Sequence, residues 1–290
     1  MPPHELGIFA KTFTSPSIEA NLDAVASHGL RVVQYNMACA GLSSLPAHIA
    51  PDLAARIGLA AAQRDIRIAA LSGTFNMVHP DPERRRAGLH RLRVLAQACA
   101  ALGTQTITLC TGTRDPDDMW RGHPANRHPD AWTDLLACLE PAVALADEFD
   151  LTLGIEPETA NVVDSAARAV QLLRQLRSPR LKIVLDAANL LGADSLPRQH
   201  DILEEAFDLL GPYLVMAHAK DVEVVDGEVR HVAAGTGQLD YPHYLSLLRT
   251  VPVPLVVHGL AEADVPRSLA FLRALTDDDE QPAHAVVAAG

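Results

Sequence analysis

Eight short apolar runs, each followed by a stretch with helical spacing, limit what this chain can fold into more than any other feature. The runs fall at residues 6–13, 30–37, 66–75, 106–110, 151–158, 181–186, 213–221 and 253–257. Helical patterns follow them at 17–28, 51–64, 82–102, 130–149, 164–176, 197–210, 241–248 and 262–275. Their stripes are those of amphipathic helices, such as Ile18, Leu22 and Val25, then Leu53, Ile57 and Ala61. Punctuation agrees: Asp81-Pro82-Glu83 opens a helix, Gly29 and Gly103 end two, and Pro179 and Gly211-Pro212 end two more. Regular alternation of strand and helix predicts a parallel sheet with crossover connections, which an open doubly wound sheet or a closed barrel would satisfy. The close glycine pair Gly235-Thr-Gly237 lacks the third glycine of a dinucleotide fingerprint. Eight units without that fingerprint point to the α/β class and a single-domain (β/α)8 TIM barrel. The barrel is expected over residues 1–275, with 276–290 a flexible acidic tail.

At 290 residues the chain lies within the range of one such barrel. Aromatic residues are 4% against 48% hydrophobic, so the core must be mostly Ala, Val, Leu and Ile, which suits packed helices and buried strands. A formal net charge of −12 opposes a polyanion, and Arg84-Arg85-Arg86 sits in a helical pattern as a solvated face; nucleic acid is disfavoured as a partner. Cys39, Cys99, Cys110 and Cys138 form no C-x-x-C pair and are expected as buried, reduced thiols. The chain opens with no basic segment leading into an apolar one, and nowhere do 18 uncharged apolar residues run together. A cytoplasmic protein without membrane contact is therefore expected, and a homo-oligomer is compatible with the sequence.

Four of the runs end in a residue able to ligate a metal: Leu151-Thr-Leu-Gly-Ile-Glu156, Leu181-Lys-Ile-Val-Leu-Asp186, Leu214-Val-Met-Ala-His218 and Pro254-Leu-Val-Val-His258. These ends lie 30, 32 and 40 residues apart, about the length of one strand, one helix and two loops. As neighbours in a barrel they would converge at its C-terminal mouth, where barrel enzymes place their chemistry. Two carboxylates and two imidazoles suit Mn²⁺, Zn²⁺ or Fe²⁺, with Mg²⁺ or Co²⁺ also compatible. One polar strand end is ordinarily a capping group; four on successive strands make a metal site.

The same residues carry a resemblance. From about Gly7 to Leu272 the chain resembles the xylose isomerase-like TIM barrel superfamily, in particular its sugar phosphate isomerase/epimerase branch. The matching pieces are Ser72-Gly-Thr-Phe-Asn-Met-Val-His79, Gly154-Ile-Glu-Pro-Glu158, Val184-Leu-Asp186, His218-Ala-Lys-Asp221 and Gly235-Thr-Gly-Gln-Leu-Asp240. The resemblance implies a divalent metal held by a Glu on the fifth strand, an Asp on the sixth, a His on the seventh and a second Glu on the eighth. Glu156, Asp186 and His218 match, whereas His258 stands where the second Glu is usual. A histidine there can bind metal or act as a base near neutral pH.

The activity so implied is isomerisation or epimerisation of a small sugar, sugar phosphate or polyhydroxy acid by proton transfer through a metal-stabilised enediolate. Glu156 would be ligand and base, with His258 or Glu158 opposite it. Lys220 would meet a substrate phosphate, carboxylate or oxyanion, unless it is simply ion-paired with Asp221 or another carboxylate. Lys11, at the end of the first strand, is a weaker candidate of the same kind. Residues 117–130 form a long segment expected to cover the mouth; its Trp120 and His123, together with His79, Asn189 and His231, are candidate substrate contacts, each with an ordinary structural alternative. A zinc-dependent endonuclease of the same superfamily is a second reading, but its additional ligand positions hold Asn189 and Val229 here. A third is a metal-binding barrel with lyase or hydrolase activity, or a non-catalytic partner role, which His258 keeps in view.

Overall fold

The computed structural model describes residues 5–277. Eight parallel strands close into a barrel: β1 (Leu6–Phe9), β2 (Val32–Tyr35), β3 (Arg67–Ser72), β4 (Thr106–Cys110), β5 (Thr152–Glu156), β6 (Leu181–Asp186), β7 (Leu214–Ala219) and, last in sequence, β10 (Leu255–Val257). Closure comes from β1, which pairs with β2 on one side and β10 on the other. The covering helices are α1 (Ile18–Ser27), α2 (Pro51–Ala62), α3 (Pro82–Leu102), α4 (Pro129–Glu148), α5 (Ala166–Leu176), α6 (Gln199–Leu210), α7 (Tyr241–Leu248) and α8 (Val265–Asp277). Ser17, Asp81 and Ser165 cap α1, α3 and α5 by accepting backbone N–H groups, and Gly103 ends α3 in the left-handed region. Among the described residues no helix is long and apolar enough to cross a membrane. From residue 278 the expected tail lies outside the described residues.

Two apolar layers follow from strand alternation. Outward-facing residues such as Leu71, Leu109, Ile155 and Leu185 join the helices in the large core, while Ala70, Val184, Met216 and Val256 fill the barrel interior. One turn of close packing lies between α3 and the exit of β3, where a Cβ on Gly88 would sit 2.1 Å from the Phe75 ring. Alanine is worth about 1 kcal/mol over glycine in a helix, but forcing a buried ring aside costs about 1–3 kcal/mol. Gly88→Ala is therefore expected to lose about 1 kcal/mol net, read as a lower urea midpoint at unchanged slope.

Immediately past β7 the chain makes a hairpin, β8 (Asp221–Val225) and β9 (Glu228–Val232), turning at Asp226 and Gly227 with φ of 55° and 81°. Both turn residues have positive φ, as a two-residue hairpin turn of the primed type requires. Asp221 anchors the return of the chain: its carboxylate accepts backbone N–H groups from Val222, Gly235, Gly237 and Leu239 at 2.8–3.1 Å.

Candidate active site

Register brings the four strand ends together. Asp186 on β6 is the lateral partner of His218 on β7, Val256 on β10 pairs with His218, and Glu156 closes β5. His258 follows β10 by one residue and is tied back by its N–H to Ala219 O at 3.2 Å. Because alternate residues face inward, Glu156, Asp186, His218 and His258 cap the interior layer just described. Each offers a ligand atom, and all four atoms lie within 4.8 Å of one another. His218 Nδ1 lies 3.2 Å from Glu156 Oε1 and 3.9 Å from Asp186 Oδ2; His258 Nε2 lies 2.7 Å from Asp186 Oδ2. Lone pairs of two carboxylates and two imidazoles aimed at one another need a cation between them, a proton or a metal. A shell of two oxygens and two nitrogens fits a divalent transition ion, whose bonds of about 2.0–2.2 Å bring donors into this spacing with small adjustments.

The charges are balanced within the site. Burial works against the Asp186 carboxylate, but the Lys220 ammonium at 3.5 Å, then the His258 hydrogen bond, hold its pKa well below the usual carboxylate range. Glu156 is lowered too, with His218 overcoming burial, and His218 is raised in turn by Glu156 against the same opposition. Lys220 is raised because Asp186 and Glu156 outweigh its burial. His258 goes the other way, lowered by burial and then by the charge of His218. Glu158 is pushed up to about 7, by burial first and the Glu156 carboxylate second, and its Oε2 accepts from Asn161 Nδ2 at 3.3 Å.

Of the remaining expected site residues, the structure brings Asn189 and Lys220 into contact with the cluster. Asn189 Nδ2 donates to Glu156 Oε1 at 2.6 Å, and Lys220 Nζ donates to Asn189 Oδ1 at 2.6 Å. Of the carboxylates expected as ion-pair partners of Lys220, Asp221 or another nearby, the partner is Asp186 at 3.5 Å, since the Asp221 carboxylate is turned to backbone amides. His231 lies exposed on the hairpin opposite Val222, and desolvation first and the Lys220 charge second push its pKa down to about 4. Lys11 is exposed on the turn after β1, and Trp120 is 54% exposed on the long β4–α4 connection. His79 is buried and held by its own neighbourhood, with Nε2 against Pro116 O at 3.0 Å and Nδ1 accepting from Asp81 N. His123 caps a 3-10 turn by accepting from Ala125 N, and it lines a cavity of about 650 Å³ between the β4–α4 and β5–α5 loops with Arg127, Asn161 and Arg168.

Three residues at the site went unread in the sequence. Gln34 on β2 contacts His218 Nε2 at 2.8 Å and Thr108 on β4 at 3.1 Å, and the Cys110 thiol lies 3.9 Å from Glu156 Oε2. A polar residue inside the run Val32-Val-Gln-Tyr35 was the available signal for the first. Cys110 is buried and its pKa raised by that burial. Cys99 and Cys138 are buried free thiols as well, while Cys39 is only half-buried.

By sequence, no curated protein matches the chain. Among solved structures it is similar to a 3-keto-D-glucoside 4-epimerase from E. coli, with 17% identity, 93% of this chain and 99% of that one covered, and a TM-score of 0.72. A D-psicose 3-epimerase in the presence of D-fructose gives 17% identity, 94% and 99% coverage, and a TM-score of 0.69. A probable 3-DHS dehydratase from Bacillus anthracis gives 13% identity, 93% and 98% coverage, and a TM-score of 0.70. At these identities the likeness is one of fold. The family model described as xylose isomerase-like TIM barrel matches residues 22–275, nearly the whole barrel, and the chain belongs to that family.

Proposed function

We propose that the protein is a divalent-metal-dependent isomerase or epimerase of a small sugar, sugar phosphate or polyhydroxy acid. The observation that carries this reading is the convergence of Glu156, Asp186, His218 and His258 within 4.8 Å at the mouth of a barrel of this family. Those four would hold the ion, which when bound supplies a Lewis acid to a carbonyl and its neighbouring hydroxyl and so acidifies the adjacent C–H. Similarity to two sugar epimerases supports the substrate class.

Proton transfer falls to the chain's own groups. Glu156 Oε1 is engaged by Asn189 and His218, whereas Oε2 has the Cys110 thiol at 3.9 Å, so Oε2 is the oxygen left to take a proton from carbon. Glu158, buried two residues further along, is the second proton carrier. Lys220, held between Asp186 and Asn189, keeps an ammonium beside the site to meet a developing oxyanion. His258, with Nε2 turned to Asp186, serves as a ligand and not as the base.

Purified protein is expected to carry an equimolar divalent ion by elemental analysis, and in D₂O with Mn²⁺ to incorporate deuterium next to the carbonyl of one among a panel of ketoses, ketose phosphates and polyhydroxy acids. Chelation should stop the incorporation. Protein that binds no divalent ion would refute the metal site; loaded protein that leaves the whole panel unlabelled would refute the proton transfer.

A further inference from the structure

We infer that Gln34 is a positioning residue that holds His218 with its proton on Nε2, so that Nδ1 is the nitrogen offered to the metal. This rests on the metal-site reading above and deepens it. In the sheet, β1 and β10 stand between β2 and β7, so the contact of Gln34 with His218 crosses the barrel interior instead of running along a strand pair. An amide placed there, 5% exposed in an otherwise apolar strand, is costly unless both ends are bonded. Both are: Nε2 donates to Thr108 Oγ1 at 3.1 Å, and Oε1 faces His218 Nε2 at 2.8 Å.

The two ring nitrogens of His218 therefore see opposite surroundings. Nδ1 looks at carboxylate oxygens of Glu156 and Asp186, at 3.2 and 3.9 Å, and Nε2 looks at one amide oxygen. A nitrogen that binds a metal must keep its lone pair, and the other must then carry the hydrogen. With the proton on Nε2, Gln34 Oε1 accepts it and Nδ1 is open toward the cluster. In the opposite tautomer, Nδ1–H would stand where the ion belongs and two lone pairs would meet at 2.8 Å. Tyr244 also bears on His218, but its hydroxyl donates to the backbone carbonyl at 3.0 Å, which leaves the ring tautomer unaffected.

The test compares Gln34→Met, of similar length but with only a weak thioether acceptor, with Gln34→Glu, which keeps an oxygen acceptor. Zn²⁺ and Mn²⁺ dissociation constants are measured by competition with a chromogenic chelator, and the protonated nitrogen of His218 in the Zn²⁺-loaded protein is read by ¹⁵N NMR. Gln34→Met is expected to bind either ion about 10–100-fold more weakly, with its His218 Nε2 proton exchanging faster with solvent. Gln34→Glu is expected to match or exceed wild-type affinity and to keep the Nε2 proton. Wild-type protein that binds neither ion would overturn the metal reading itself. Tight wild-type binding that both variants retain would overturn the role of Gln34 alone, and equal losses in both would reduce Gln34 to packing.

Discussion

Glu156→Gln is expected to slow solvent deuterium incorporation by roughly 10²–10⁴-fold at saturating metal, the span over which a positioned base contributes. The substitution keeps shape and one acceptor. Its carbonyl oxygen can still accept from Asn189 Nδ2, which holds Glu156 Oε1 at 2.6 Å, and its amide nitrogen replaces the oxygen that faces Cys110 at 3.9 Å. What disappears is the oxygen able to accept a proton, together with one negative charge in the cluster. The lost charge will weaken metal binding as well, so the rate is compared only after titrating each protein with Mn²⁺ to a plateau. A thermal transition close to wild type would show that the fold is kept. Undiminished incorporation at that plateau would remove Glu156 as the base and move the role to Glu158.

Much of this arrangement was legible because it is local. The sixth strand is Leu181–Asp186 and the seventh helix Tyr241–Leu248, the spans that the apolar run and the helical pattern indicate. The four ligand candidates were found because each ends an apolar run, and parallel neighbours put such ends at one rim. Other strands are shorter than their runs: β1 stops at Phe9 before a 3-10 turn, and β10 begins only at Leu255. An apolar run records burial, and burial continues past the last ladder hydrogen bond. Contacts across the barrel were unreadable for a different reason. Gln34 and His218 are 184 residues apart, and no spacing rule joins positions that meet only once the sheet has closed. Lys220 shows the same limit, since its neighbour in sequence, Asp221, is engaged by four amides while its partner Asp186 comes from another strand.

Asp186→Asn tests whether that distant pair holds the structure as well as the site. Asp186 is 1% exposed and Lys220 6% exposed, and the acid also accepts from His258 Nε2 at 2.7 Å and from Ala188 N at 3.0 Å. The amide preserves volume and the Ala188 bond but turns an N–H₂ toward two donors and leaves Lys220 with Asn189 Oδ1 as its close acceptor. Breaking a buried pair from one side costs about 3–5 kcal/mol, chiefly because the remaining charge is uncompensated. At roughly 2–4 °C per kcal/mol for a chain approaching this size, the transition should fall by about 10 °C. Measurements belong in chelator, so that lost metal binding does not enter the comparison. If the cost lies in the stranded ammonium, adding Lys220→Met to Asp186→Asn should recover much of it, because a neutral pair of similar volume can replace a buried ion pair with little loss. A double variant weaker than Asp186→Asn by the full Lys220→Met increment would mean the two residues act independently, and the charge balance assigned to the mouth of the barrel would be wrong.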